Sequence, residues 1–198
     1  MGSKEQDTEE KIKEAARVIF TKKGYAATRT RDIAEEAGIN LSLLNYYFRS
    51  KEKLFNIIMT EKIQQFFGIM FPIITDAGLS LEEKIEKMAD SYINTILKNP
   101  DLPIFVLSEI RNNPQSLAQN FNLGHVMGRS SLILQIKERN SEVDPIHFML
   151  NILGMTVFPF ISKPLMEASG VFDDDRFQNL MNERKKLIPI WVKAMLGH

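Results

Sequence analysis

Cysteine is absent from the 198 residues, and that lack removes disulfides, thiolate metal sites and cysteine nucleophiles together. Three histidines remain as the only soft ligands. His147 and His198 have no second histidine or paired carboxylates at ligand spacing, so neither a metal site nor a cofactor is expected. No apolar run reaches the roughly 18 residues that cross a bilayer, and the opening Met-Gly-Ser-Lys-Glu-Gln-Asp lacks the apolar core of a signal sequence, so the expected location is the cytoplasm with no membrane partner. No serine sits in a glycine elbow, and neither a phosphate loop nor a dinucleotide fingerprint is present, so an enzyme is not expected. Strand-like alternation, internal repeats and low-complexity tracts are missing as well.

Net charge is also lacking, with 25 Lys/Arg against 25 Asp/Glu. The average hides an asymmetry. Residues 11 to 53 hold ten Lys/Arg against five Asp/Glu, which makes a basic N-terminal module on an acidic remainder, the distribution expected when only one end meets phosphate. Apolar residues at 44% and charged residues at 25% are the balance of a globular chain.

What is present is helical throughout. Ile12, Ala15, Ala16, Ile19 and Phe20 form one stripe behind an Asp7/Glu10 capping pair, giving a helix over about 8 to 23 closed by Gly24. Thr30 caps a second helix that carries Ile33, Ala34 and Ala37 inward and stops at Gly38. Asn40 caps a third, over 41 to about 47. Ser50 caps a fourth running toward Phe71 before Pro72. Ser80 and Glu83 form a capping box for a helix to about Lys98. Further helices are expected over roughly 102–112, 115–139, 145–168 with Pro159 and Pro164 kinking or shortening the last, and 176–196. The expected fold class is all-α, with about nine helices: an N-terminal three-helix helix-turn-helix domain over 1–52 and a C-terminal helical ligand-binding and dimerisation domain over 53–198.

Two helices joined by a tight glycine-containing turn, the second short and exposed, are what a major groove of about 12 Å admits. The stretch from Thr30 to Leu54 adds specificity: Ile33-Ala34-x-x-Ala37-Gly38, then Tyr46-Tyr47-Phe48, then Ser50-Lys51-Glu52-x-Leu54. Over about residues 8 to 55 the chain closely resembles the DNA-binding domain of the tetracycline-repressor family of bacterial transcription regulators. The resemblance implies a repressor that grips a near-palindromic double-stranded DNA operator as a homodimer and is released by a small-molecule effector. It also implies that Lys51 is a phosphate contact.

The residues read consistently with that function. Small Ala34 and Ala37 let two helices approach, while Ile33, Ile39, Leu44 and Phe48 bury against the first helix. Thr30 and the amides behind it can hold a phosphate, with Arg31 beside them. Leu41, Ser42, Leu43, Asn45, Tyr46 and Tyr47 are left to face DNA. Asn45 stands where many relatives carry tyrosine, and Leu41 and Leu43 where polar residues are usual. Asparagine pairs bidentately with adenine and leucine meets thymine methyls, so the contacted steps are expected to be A·T. The alternative is that Leu41 or Leu43 packs on a neighbouring helix, and that Tyr46 or Tyr47 belongs to the core.

Beyond residue 55 the chain is rich in Phe and Met, which suits either a core or a pocket for a small, largely apolar effector. The candidate pocket residues are Phe66, Met70, Tyr92, Phe105, Glu109, His125, Asn151 and Met155. In the family the last two long helices pair with their symmetry mates, which implies a dimer interface at Phe148, Ile152, Thr156, Leu187 and Trp191. A reading of a different class is a helical interaction module whose helix-turn-helix meets a protein partner.

Overall fold

The computed structural model describes residues 2–197, all of whose regular structure is helical; His198 lies outside them. Eleven helices follow one another among the described residues: α1 (Gly2–Ala27), α2 (Thr30–Glu36), α3 (Leu41–Tyr47), α4 (Lys51–Thr75), α5 (Leu81–Lys98), α6 (Leu102–Asn112), α7 (Pro114–Asn120), α8 (Leu123–Gly128), α9 (Ser131–Arg139), α10 (Pro145–Ala168) and α11 (Asp174–Leu196). The two beyond the expected nine arise where a single helix is expected over 115–139. Asn122 adopts the left-handed conformation at φ 48° and Ser130 caps α9 through a bond from the Ile133 amide, so that stretch breaks into three. The first helix starts before Asp7, which is therefore no cap, and Gly24 at φ 72° interrupts it where the sequence ends it. Pro72 does not end α4 but lies inside it, three residues before Thr75.

The chain divides into two compact units, one formed by residues up to Gln64 with Asn99–Leu102, the other by Gln65–Lys98 with the residues from Pro103 on. The sequence places the division at 52/53, near the start of α4; the two compact units part at Gln64/Gln65, further along the same helix. In the first unit Ile12, Ala16, Phe20, Ile33, Leu44, Leu54 and Ile58 are buried together with Phe48.

In the second unit α5 packs against α9, α10 and α11. Its core holds Ile85, Ile93, Leu132, Phe148, Ile188 and Val192. Phe148, Ile152 and Thr156 are buried here, and the Thr156 hydroxyl donates to the Ile152 carbonyl at 2.7 Å. They are core residues and not, as expected, part of an exposed interface. The exposed apolar face of α10 is instead Ile146, Leu150, Leu153, Phe158 and Leu165. This helix is apolar on both sides, so periodicity gives no sign of which side turns inward. By length and composition α4 and α10 are apolar enough to cross a membrane.

α10 also runs unbroken through Pro159 and Pro164. A proline in a helix interior withholds the amide that its fourth preceding carbonyl needs, and for Pro159 that carbonyl is Met155. Arg184 on α11 supplies the missing donors, from Nε at 3.1 Å and Nη2 at 2.9 Å. Burial holds the guanidinium below its usual basicity, and it lies 5.0 Å over the Trp191 ring. Truncating Arg184 to alanine is expected to cost about 1–3 kcal/mol, the penalty of an unpaired carbonyl. Adding Pro159→Ala, which restores the backbone donor, should recover much of it. Denaturant unfolding of the two single variants and the double variant measures the coupling, and strictly additive costs would refute it.

Candidate nucleic-acid interface

The helix-turn-helix is built from local signals. Ala37 is buried, Gly38 takes φ 61°, and the amides of Ala37, Gly38 and Ile39 donate to Ile33, Glu35 and Ala34 carbonyls at 2.9–3.0 Å. A Cβ on Gly38 would have room, its nearest neighbour being Lys11 Nζ at 3.8 Å, so backbone conformation and not space calls for glycine. Asn40 caps α3, its Oδ1 accepting from the Leu43 amide at 2.8 Å. Ser50 caps α4 through a bond from the Lys53 amide at 3.1 Å.

On α3, buried Leu44 with Phe48 just beyond fixes the helix to the unit, and the other positions divide. Ser42, Asn45 and Tyr46 are exposed, Tyr46 at 75%, whereas Leu41, Leu43 and Tyr47 are half-buried. The outward surface of this helix is thus narrower and more polar than the six residues read from the sequence. Tyr46 and Tyr47 meet edge to face at 5.3 Å. Ile39, expected inside, is half-buried.

Thr30 is the first residue of α2 and not its cap, which is Arg29. The Asp32 carboxylate accepts from the Arg29 amide at 2.9 Å and pairs with Lys23 Nζ at 3.1 Å. The amide first, then Lys23, hold its carboxyl below the usual range. Half-buried Thr30 and exposed Arg31 therefore flank a helix start that already carries a carboxylate. Lys51 is likewise engaged within the protein: Nζ donates to the Tyr25 and Thr28 carbonyls at 2.8 and 2.9 Å and lies 4.2 Å over the Tyr25 ring. One ammonium proton remains for a phosphate.

Much of the basic surplus is internally neutralised. Arg17 bonds Glu61 at 2.6 Å and Glu10 and Glu14 at 2.8 Å, and Lys13 pairs with Glu10 at 3.2 Å. Glu10 is held below its ordinary value by Arg17 and then Lys13. Spacing along α1 reveals the local pairs, but nothing in the sequence points to Glu61. Arg31, Arg49 and Lys53 are exposed and form no ion pair among the described residues. With Arg29, the exposed residue before α2, they are cations turned to solvent around α2, α3 and the start of α4.

Of the candidate pocket residues, the structure brings Phe66, Met70 and Tyr92 into one layer of the second unit. Phe66 stands 4.7 Å from Tyr92, and Phe67 4.6 Å from Phe121. Burial pushes the Tyr92 phenol far above the ordinary range, so it stays a neutral donor. Met155 packs against the same core; Phe105 and Glu109 are half-buried on α6. His125 and Asn151 are exposed, and Asn151 Nδ2 reaches Met195 Sδ at 3.4 Å, so these two do not join that layer. Leu187 and Trp191 are exposed and border a groove of about 320 Å³ with Phe158, Phe172 and Phe177. Among the described residues no group of three His, Asp or Glu could hold a metal ion.

Comparison with known proteins bears on this interface. Residues 12–58 match the family model described as bacterial regulatory proteins, tetR family. The protein named "Probable HTH-type transcriptional regulator YttP" of Bacillus subtilis (strain 168) is 22% identical over 195 residues, covering 95% of this chain and 93% of that one. The HTH-type transcriptional regulator YvkB of the same organism is 27% identical over 119 residues, 57% of this chain; the match spans 62% of that relative's length. Among solved structures, the transcriptional regulator FadR from Bacillus subtilis in complex with stearoyl-CoA superposes with a TM-score of 0.55 at 19% identity, covering 90% of this chain and 96% of that one.

Proposed function

We propose that the chain is a member of the tetR family of bacterial regulatory proteins, whose family model its residues 12–58 match, and that it is a cytoplasmic, dimeric transcriptional repressor released from a near-palindromic operator by a small, largely apolar effector. The observation that carries this reading is α3 itself. It is pinned by Leu44 and Phe48, points Ser42, Asn45 and Tyr46 outward, and is flanked by the solvent-facing cations Arg31, Arg49 and Lys53. Asn45 reads adenine, Ser42 and Tyr46 reach bases or backbone, and the cations with Lys51 take phosphates. A protein partner would have to present an acidic surface to the same cations.

Dimerisation uses the exposed faces of α10 and α11: Leu150, Leu153 and Phe158 on one, Leu187, Ile190 and Trp191 on the other. A twofold axis sets two recognition helices about 34–36 Å apart, one turn of DNA, hence the near-palindrome. The effector enters the layer of Phe66, Met70 and Tyr92, where aromatic faces and a flexible thioether fit an apolar body and the phenol donates one hydrogen bond. Long-chain acyl thioesters are the first compounds to try, since the FadR neighbour is solved with stearoyl-CoA. Helix α4 contributes residues to both units, so an effector that displaces its second half acts on its first. The coupling required is about 1–3 kcal/mol, and operator DNA must weaken effector binding by the same factor.

Binding of the purified chain to a randomised duplex pool, followed by sequencing of the retained fraction, tests the reading. The expected product is a near-palindrome with A·T pairs at the steps facing Asn45. Four cations on each of two heads should give a log–log salt slope on the order of −7. Sequence-blind retention with a slope near zero would favour the protein-partner reading, and enriched G·C at those steps would refute the role of Asn45.

A further inference from the structure

The segment that delivers the chain from α1 to the helix-turn-helix is held by side chains far away in sequence. Gly24 turns it at φ 72°, and the Thr28 hydroxyl donates back to the Gly24 carbonyl at 2.7 Å. Lys51, at the start of α4, binds the Tyr25 and Thr28 carbonyls. The Tyr25 amide donates to Asp101 Oδ2 at 3.0 Å. Asp101 stands in the connection between α5 and α6, and that connection, Asn99–Leu102, belongs to the DNA-binding unit although the helices on either side of it belong to the other. Asn99 and Pro100 line a shallow crevice with Phe20, Ile58 and Met59. The approach is close: a Cβ on Gly24 would lie 3.7 and 3.8 Å from the Asp101 carboxylate oxygens.

We propose that Asp101 is a positioning residue for the DNA-reading head. Its carboxylate fixes the Tyr25 amide by a charge-assisted bond. Through the carbonyls that Tyr25 and Thr28 give to Lys51, it also fixes the start of α2 and the direction of the Lys51 ammonium. Operator affinity then depends on how the segment that carries Asp101 holds Tyr25 within this unit. The proposal rests on the DNA-binding reading above, and it adds to that reading a residue outside the helix-turn-helix.

The test uses the full chain with Asp101→Ala and Asp101→Asn. It reads amide hydrogen exchange at residues 25–30, affinity for the operator recovered from the duplex pool, the salt slope and the melting temperature. Asp101→Ala should speed exchange at Tyr25 and weaken operator binding, each about tenfold, as the loss of one bond to a charged group implies. The salt slope should hold, because no phosphate contact is removed. Asp101→Asn should restore most of the affinity, since its Oδ1 accepts the same bond. An enriched operator that Asp101→Ala binds as tightly as wild type overturns this proposal alone. So does a loss that only tracks a lowered melting temperature and is not rescued by asparagine. Failure to enrich any operator overturns the DNA-binding reading and this proposal with it.

Discussion

Replacing Phe158 with arginine is expected to yield a folded monomer whose operator affinity has fallen by about 10²- to 10⁴-fold, the avidity lost when two linked half-site contacts become one. Phe158 is 62% exposed on α10, beside the groove bordered by Leu187 and Trp191. Removing it therefore takes nothing from the core of its own chain. In a twofold contact each substitution enters twice, so two guanidinium groups would be brought into a largely apolar patch whose lining offers each of them one carboxylate, Glu183, beside the cation Arg184. Sedimentation should show the monomer, and the melting profile should remain cooperative. Phe148, only 2% exposed, is the control from the buried part of the same helix. Its truncation should cost about 3–5 kcal/mol in the fold, the range for emptying a buried aromatic site. A Phe158→Arg protein that sediments as a dimer would place the interface elsewhere.

The contrast between those two phenylalanines shows what a sequence can carry. Caps are local: Asn40, Ser50 and the Ser80/Glu83 box each act within three residues, and the structure places every one where the sequence does. The short helix α3 and the turn at Gly38 were legible for that reason, whereas α2 begins one residue earlier than expected, with Arg29 in the cap position and Thr30 inside the helix. Orientation is not local. A helix such as α10, apolar on both faces, gives no moment to orient it, and the stripe read from it was the buried one. The sequence also assigned too much to proline at position 72. A helix continues through proline where packing outweighs the missing bond, and at Pro159 the repair comes from Arg184, 25 positions further on. Asp101 and Glu61 escaped notice for the same reason. Their partners, Tyr25 and Arg17, lie 76 and 44 positions away, and an exposed-looking acid in a loop or on a helix gives no hint of them.

Lys84 is the sharpest case of a residue whose surroundings the sequence conceals, and its reversal to glutamate should be among the most damaging single changes in the chain. It stands on α5 among charged neighbours, as a surface lysine would, yet it is fully buried. Its Nζ donates to the Leu79 carbonyl at 2.6 Å and to Gln135 Oε1 at 2.7 Å, and Gln135 Nε2 donates to the same Leu79 carbonyl at 2.8 Å. Ser131 binds the Ile74 and Asp76 carbonyls at 3.2 and 3.0 Å. The link from α4 to α5 is thus fastened to α9 by donors that all point at carbonyl oxygens. A carboxylate at position 84 would face those oxygens with Asp76 and Glu83 close by, an uncompensated buried charge costing about 3–5 kcal/mol. Methionine keeps the stem and drops the charge. Because Gln135 still serves the Leu79 carbonyl, Lys84→Met should stay within about 1 kcal/mol of wild type. The two variants also separate by pH. Burial lowers the Lys84 pKa, while Asp76 and then Glu83 oppose that shift. Between the lowered value and the ordinary one the unfolded chain binds more protons than the folded chain, so stability from this site rises with pH through that window. Denaturant unfolding at a series of alkaline pH values should show wild type gaining on Lys84→Met as the pH climbs toward 10.5. A difference that stays flat, or a Lys84→Glu protein as stable as wild type, would mean that the ammonium is solvated.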